Sequence, residues 1–397
     1  MTTKEQKVRM AVVGVGQMGS NHVRDLAGMA NIELTAICDI DPETAAKTAT
    51  HYGVHAYTDF HALLEREQPQ AITIATPHYD HTPISIAALE RGIHVLTEKP
   101  LAVHVQDGNK MIAAYQRARQ QWPNLVFAIM FQQRTQHFWR AIKGMIERGE
   151  LGRLVRTTWL ITDWFRPQVY YDSGGWRATW GGEGGGVLLN QAPHNLDLYQ
   201  WFVGMPRRVT GLAAMGKYHH IEVEDEVTAI FEHENGMVGH FVTTTAESPG
   251  VNRLEIVGEK GRLVFEDGEL IFYRNAQSML EFGRTSQKLW DKVSCRKEVI
   301  DYPREGRPGH DVILENFADA ILHGEALIAP AVEGIRSLTL ANAILFSSFL
   351  GRPLDLPFDE AAYAAHLAEL VRSSRFHKTV RAVSFTDEEL LKAFGYH

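Results

Sequence analysis

Three residues of this chain have the types and settings to move a proton and stabilise a charge: Lys99, Asn190 and His194. Lys99 stands in Leu96-Thr97-Glu98-Lys99-Pro100, where the proline disfavours helix at the lysine. An ammonium just past a strand end can hydrogen-bond a hydroxyl and stabilise the oxyanion that develops there. The same pattern taken alone also reads as a surface lysine paired with Glu98. His194 closes the run Gly184-Gly185-Gly186-Val187-Leu188-Leu189-Asn190-Gln191-Ala192-Pro193-His194. Its imidazole has the pKa range to take a hydroxyl proton near neutrality. The glycines allow close backbone approach ahead of a helix. Asn190 and His194 share a face only if that helix already includes Asn190. Pro193 belongs in a first helical turn and so puts the start near Ala192. Asp197, one turn on, is expected to orient the imidazole.

A second constellation binds phosphate. Gly14-Val15-Gly16-Gln17-Met18-Gly19 follows the apolar run Val8 to Val13 and opens an amphipathic stretch, Gln17 to Met29. Gly14 permits a tight turn, Gly16 lets backbone approach a pyrophosphate, and Gly19 lets helix and strand pack closely. The helix N-terminus offers unpaired N–H groups to the phosphates. Asp39, 20 residues past Gly19, ends the second apolar run and can accept from ribose hydroxyls.

The elements that must hold these groups alternate up to about residue 130. Strand-like runs are Val8–Val13, Leu34–Asp39, Ala71–Ala75, His94–Thr97 and Leu125–Met130, with helical patterns between them. One helix opens at Asp41-Pro42, an N-cap followed by proline at the first position; others cover Thr82 to Arg91 and Val105 to Arg119. Alternation of this kind predicts a doubly wound parallel sheet whose ligands bind beyond the carboxyl ends of its strands. The glycine loop, Asp39, Thr76-Pro77-His78 with His81, and Glu98-Lys99 all fall at such ends, and we take them as the cofactor-binding set.

Beyond residue 130 a helix, Phe138 to Arg148, leads into β-rich segments with hairpin turns at Asn235-Gly236, Glu259-Lys260-Gly261 and Asp267-Gly268. We expect an antiparallel meander with one free face, solvated or paired with a second subunit. Helical periodicity returns around Ile313, Phe317, Ala320 and Ile321, then over Ala331 to Leu350 and Asp359 to Ser373. The predicted domains are residues 1–130, a Rossmann domain, and residues 131–397, an α/β domain with a large open, mostly antiparallel sheet.

Composition narrows the function classes. Apolar residues are 45% and charged residues 22%, as in a soluble globular protein. The net charge of −8 and the lack of a basic stripe exclude a nucleic-acid backbone as partner. Two cysteines, Cys38 and Cys295, make no disulfide framework. Met1 to Lys7 is polar and no apolar run is long enough to span a bilayer, so a cytoplasmic location and no membrane partner are expected. Gly216 to His220 with Glu222, Glu224 and Asp225 has metal-binding residue types, but strand alternation makes it a solvated face, and no metal is expected.

The glycine fingerprint, Ala75-Thr76-Pro77, Glu98-Lys99-Pro100, and Gly184-Gly185-Gly186 leading to His194 and Asp197 together resemble the Gfo/Idh/MocA oxidoreductases, the group of glucose-fructose oxidoreductase and inositol dehydrogenases. The resemblance runs essentially end to end. It implies an active site between the two domains, an oligomer face on the second sheet, Lys99 and His194 as catalytic groups, and hydride transfer to C4 of a nicotinamide. The family often has aspartate where this chain has Asn190. An amide cannot accept a proton, which shifts the burden to His194 and Lys99. Asp39 would repel a 2′-phosphate, and Ile40 to Ala46 holds no Lys or Arg, so the cofactor expected is NAD.

The substrate signal is aromatic and polar. Trp164-Phe165-Arg166, Tyr170-Tyr171, Trp176-Arg177 and Trp180 precede the glycine run, and Gln132-Gln133-Arg134 follows the last Rossmann strand. Aromatic faces suit pyranose C–H faces and arginines suit hydroxyls or an acidic substituent. The same aromatics also read as a mini-core pinning a long loop. We take Gln133, Arg134, Trp164, Arg166, Tyr171, Trp176, Arg177 and His194 as the substrate set. The expected function is NAD-dependent oxidation of a secondary hydroxyl, at C3 as first choice, of a sugar or glycoside. Two rival readings stand beside it: a glycosidase that oxidises transiently, eliminates the aglycone, adds water and re-reduces; and a non-catalytic NAD-binding regulator.

Overall fold

Short apolar runs bounded by capped amphipathic segments give a βα alternation up to Ile129 in the computed structural model, which describes residues 6–381. Its strands are β1 (Val8–Val13), β2 (Ile32–Cys38), β3 (His55–Tyr57), β4 (Ala71–Ile74), β5 (His94–Thr97) and β6 (Phe127–Ile129). The helices between them are α1 (Gln17–Gly28), α2 (Pro42–Tyr52), α3 (Phe60–Arg66), α4 (His78–Leu89) and α5 (Val105–Gln121). All pairings are parallel in the order β3-β2-β1-β4-β5-β6, the doubly wound order of dinucleotide-binding sheets. Helix α2 starts as its sequence predicts, with the Asp41 side chain accepting from the Glu43 and Thr44 N–H groups and Pro42 in the first turn. The strand order reverses between β1 and β4, and the ends of β1, β2, β4 and β5 open on one crevice.

The second sheet has nine strands: β7 (Leu154–Ile161), β8 (Arg208–Met215), β9 (Glu224–Glu232), β10 (Val238–Thr244), β11 (Asn252–Gly258), β12 (Gly261–Glu266), β13 (Glu269–Asn275), β14 (Cys295–Val299) and β15 (Leu354–Asp355). It corrects the simple meander expected from the hairpin turns. Strand β7 lies between β10 and β11, parallel to β10 and antiparallel to β11. Hairpin turns fix only sequence neighbours, so no turn signal could report this central insertion. Every other pairing in the sheet is antiparallel.

Seven helices complete the described chain: α6 (His137–Glu147), α7 (Gln168–Asp172), α8 (Pro193–Val203), α9 (Met279–Thr285), α10 (His310–His323), α11 (Gly334–Leu350) and α12 (Glu360–Ser373). A 3-10 turn, Ala331–Glu333, precedes α11, so the helix opens at Gly334 and not at Ala331. It lies so close on β8 that a Cβ at Gly211 would sit 2.2 Å from the Ile344 carbonyl oxygen. Helix α10 packs against α1 and β1, and Ile129 N donates to Ala329 O at 3.1 Å, so late segments of the chain brace the first sheet. Residues 1–5 of the polar N-terminal stretch, and 382–397, lie outside the described residues. Among the described residues no helix is long and apolar enough to cross a membrane.

Candidate active site

The glycine loop is shaped by two demands from the protein and one freedom. Gly14 has φ +86°, and a Cβ there would meet Ala75 O at 2.7 Å. A Cβ at Gly19 would stand 1.8 Å from Gly14 O. At Gly16 a Cβ would meet nothing within 4 Å. The room above Gly16, beside the first turn of α1 with Gln17 and Met18, is what close approach of a pyrophosphate needs. Asp39 locks this loop to the end of β2: Val15 N donates to Oδ2 at 2.8 Å and Asp41 N to Oδ1 at 3.0 Å. Thr76 is packed beside Gly14, and its buried Oγ1 has no partner among the described residues. These residues fit a dinucleotide.

Other members of the cofactor set make contacts within the protein. His81 is wholly buried, with its nitrogens facing Pro100 O at 2.8 Å and Thr76 O at 3.1 Å, so its ring ties two loops together. His78 is buried too and donates from Nδ1 to Glu183 O at 3.1 Å. The Glu98 carboxylate contacts His22 Nε2 at 2.7 Å and accepts from Lys99 N at 3.2 Å. Burial works against that charge, but the His22 hydrogen bond and charge outweigh it and hold the carboxyl down to about 2. Pro77 caps the start of α4.

The catalytic candidates meet across the two sheets' connecting segments. Lys99 Nζ donates to Asn190 O at 2.7 Å. Burial lowers the pKa of Lys99, while the Glu98 and Glu183 carboxylates oppose that shift. His194 lies in the first turn of α8, which begins at Pro193, so Asn190 precedes the helix. Burial, then the Lys99 charge, drives the His194 pKa well below 6.5. Its Nε2 is 3.4 Å from the Gln132 side-chain nitrogen, and Nδ1 has no partner among the described residues.

Asp197 does not orient His194. It receives Arg134 through Nε and Nη2, both at 2.7 Å, and Gln200 at 3.0 Å. Arg134 also donates to Glu333 at 2.6 Å and its side chain is 1% exposed, so it is a scaffold ion pair and not a substrate group. Two buried charges need each other, and the bidentate pairing satisfies both. Tyr171 is likewise corrected. It is buried with its hydroxyl on Thr245 Oγ1 at 2.6 Å, and Tyr170 is the tyrosine that faces the site. On the short helix α7, successive residues point about 100° apart, so only one of the pair can do so.

Two groups flank the lysine and histidine. On the Lys99 side, Arg177 donates to the Tyr170 hydroxyl at 2.8 Å and lies over the Trp176 ring, while Arg166 lies over Trp164 and Tyr170. Past His194 opens a cavity of about 420 Å³, lined by Gln133, Asp163, Trp164, His194, Asn195 and Asn252 among others. Asn195 Oδ1, Trp164 Nε1 and His194 Nδ1 are buried without partners among the described residues. The segment read as a solvated face has a positioning task. Asp225 accepts from the Lys217, Tyr218 and His219 N–H groups, and His219 Nε2 contacts Arg166 O at 2.8 Å.

Several residues that shape the site were not singled out for it in the sequence. Glu224, wholly buried, accepts from Gly186 N at 2.9 Å and Leu188 N at 3.0 Å, and a Cβ at Gly186 would meet Glu224 O at 2.0 Å. Only the topology brings Glu224 there. Lys378 donates to Gly174 O and Arg177 O, and Arg381 pairs with Asp172, so the stretch after α12 straps the aromatic loop. Glu183 did carry a signal: it is the one acid within Gly181 to Gly186.

Comparison with known proteins matches both halves. Residues 8–122 match the model of the oxidoreductase family with an NAD-binding Rossmann fold, and 139–264 that of the GFO/IDH/MocA C-terminal domain. The chain is 29% identical over 296 residues to levoglucosan dehydrogenase of Pseudarthrobacter phenanthrenivorans, covering 66% of this chain and 74% of that protein. It is 25% identical over 358 residues to inositol 2-dehydrogenase of Rubrobacter xylanophilus, covering 89% and 94%. The structure of the WlbA dehydrogenase from Bordetella pertussis, in complex with NADH and UDP-GlcNAcA, superposes with a TM-score of 0.74 at 27% identity, covering 89% of this chain and all of that one. Levoglucosan dehydrogenase in complex with NADH gives a TM-score of 0.73 at 24% identity, covering 89% of this chain and all of that one; it shares the fold.

Two measurements test this geometry. Gly19→Ala should lower Tm, as overpacking of this kind typically costs about 1–3 kcal/mol or more. Gly16→Ala should leave Tm in place and weaken dinucleotide binding in an equilibrium titration; equal binding by Gly16→Ala would remove Gly16 from the phosphate site. The second concerns Glu224, whose carboxyl burial pushes from 4.5 to about 7. Between those values the unfolded chain has released a proton that the folded chain keeps. Stability therefore falls as pH rises through this window, by roughly 3 kcal/mol. Urea unfolding at about pH 5 and about pH 7.5 should show this loss in the wild type and a smaller one in Glu224→Gln. Parallel pH dependences would contradict it.

Proposed function

Because the chain belongs to the Gfo/Idh/MocA oxidoreductase family, we propose that it is an NAD-dependent dehydrogenase of a secondary hydroxyl, at C3 as first choice, of a pyranose sugar or glycoside. One observation carries this reading: the buried His194 imidazole, kept neutral by burial and by the nearby Lys99 charge, lines a cavity rich in unpaired polar groups. The names of its relatives, levoglucosan and inositol dehydrogenases, support a polyhydroxylated ring as substrate class. So does a cavity wall that carries two carboxylates, four amides and two indoles.

NAD, when bound, supplies the hydride acceptor. Gly14, Gly16, Gly19, Asp39 and Thr76 would hold it. His194 is kept neutral by burial, so it is ready to take the hydroxyl proton. Lys99 directs an N–H at the oxygen on which charge grows as the C–H bond breaks. Asn190 serves through its backbone carbonyl, which holds the lysine, and not as a proton acceptor. Gln133, Trp164 and Asn195 meet the sugar's remaining hydroxyls and faces, and Trp176 and Arg177 close the Lys99 side.

His194→Ala should lower kcat by ~10²–10⁴ with NAD affinity little changed. In the wild type the acid limb of kcat/KM should lie below the usual histidine range, because burial lowers the pKa and activity is lost only when the ring protonates. Near-normal turnover in the variant would reassign the base. The reaction type is tested with a panel of glycosides and stoichiometric NAD, scoring NADH and free aglycone separately. A keto-sugar with NADH supports dehydrogenation, whereas aglycone release without net NADH would replace it by oxidative glycoside cleavage.

NAD should be preferred over NADP in kcat/KM, since the half-exposed Asp39 carboxylate repels a 2′-phosphate. Asp39→Asn keeps an acceptor for Val15 N, removes the charge and should narrow the gap. A wild-type preference for NADP would be decisive against this assignment.

A further inference from the structure

Glu183 is a carboxylate that the mechanism above does not use, although it is 1% exposed and sits against the catalytic residues. Burying a charge is costly unless it is partnered. Here Oε2 accepts from Ala178 N at 2.6 Å and Oε1 accepts from the Asn190 side-chain amide. The backbone carbonyl of the same Asn190 receives Lys99 Nζ at 2.7 Å. A continuous path thus runs from the Glu183 carboxylate through one residue to the catalytic ammonium. Tyr170 braces that residue from the other side, its hydroxyl donating to Asn190 Oδ1 at 3.4 Å while accepting from Arg177 at 2.8 Å.

We propose that Glu183 is the positioning residue of Lys99: it grips the Asn190 amide, which fixes the carbonyl that Lys99 donates to, and it presents a carboxylate charge to the ammonium. The inference rests on the reading that Lys99 acts on the substrate oxygen.

The charges around the pair favour this role. Burial pushes Lys99 toward the neutral amine, and Arg177 and Arg166 push the same way. Glu98 and Glu183 push back, and Glu98 is already engaged by His22. His78, His194 and His310 also face Lys99, but burial lowers all three, so they carry no charge at neutral pH. Glu183 itself is raised by burial and drawn down by Arg177 and Lys99. Lys378, Tyr171 and Glu224 lie within its field as well. Without Glu183 the lysine would keep burial and two guanidiniums against one engaged carboxylate.

The test uses Glu183→Gln, which keeps the shape and the acceptor for Ala178 N but not the charge. The first readout needs neither cofactor nor sugar: competitive acetylation of Lys99 by trace acetic anhydride across pH, quantified by mass spectrometry. Its midpoint should fall by roughly one pH unit in the variant. The alkaline limb of kcat should move with it, with NAD affinity unchanged. An unchanged midpoint overturns the proposal. The exchange Glu183→Gln/Asn190→Asp keeps one acid and one amide in contact, so it guards against a single variant that fails to fold. It should retain the wild-type midpoint; a midpoint raised by about a unit means that the charge at 183 never mattered. Were the wild type to oxidise no sugar while the midpoint still fell in Glu183→Gln, the proposed function would fail and this inference would stand.

Discussion

The site depends on how closely one glycine turn lies on one strand. Gly186 presses on the backbone of Glu224 at the start of β9, where no side chain fits, and the Glu224 carboxylate takes two N–H groups of the turn. That contact fixes the segment from Gly184 to Ala192 against the second sheet. Asn190 leaves the turn with its carbonyl toward Lys99, and α8 begins at Pro193 with His194 in its first turn. The first sheet delivers Lys99 from the end of β5. Lys99 and His194 are therefore both placed by backbone geometry, and their side chains need only short reaches.

Burial then sets which group holds a proton. Desolvation disfavours any charge, so histidines at which burial is the largest influence are left neutral and lysines survive as cations only where acids oppose the loss. His78, His194 and His310 all fall in the first class. Lys99 falls in the second. Glu98 shows the converse: buried and yet held ionised by His22. The same physics explains why Arg134 and Asp197, adjacent in sequence to site residues, are structural. A bidentate pair this deeply buried satisfies itself and leaves neither group for a ligand.

The legibility of the chain followed the range of each signal. Local signals were sound: the glycine loop, the Asp41-Pro42 cap and the hairpin turns all depend on residues a few positions apart. The parallel order of the first sheet was legible because βα units allow few arrangements. The insertion of β7 beside β10 was not, since nothing local encodes a pairing across that distance. In the site, Lys99 and His194 could be singled out as candidates because their settings, a proline after the lysine and a glycine run before the histidine, are local. Choosing Tyr171 over Tyr170 failed because the helical phase of a five-residue helix cannot be read from periodicity. Asp197 failed because its partner, Arg134, is 63 residues away. Glu183 sat in plain view among glycines, where chain flexibility drew the interpretation and the lone acid did not.

The segment that neither sheet contains is held in place by distant parts of the chain. The aromatic stretch from Trp164 to Trp180 is tied at Arg166 by His219, at Tyr171 by Thr245, and at Gly174 and Arg177 by Lys378 from the far end of the described chain. Each tie uses a backbone carbonyl or a buried hydroxyl and leaves the Trp176 ring and the Arg166 and Arg177 guanidiniums partly exposed at the site. A loop held at so many points has already lost much of the conformational entropy that ordering on a ligand would cost. The two readings of that stretch, mini-core and sugar platform, are thus compatible: its buried members anchor the loop, and the anchoring holds the others in a fixed array.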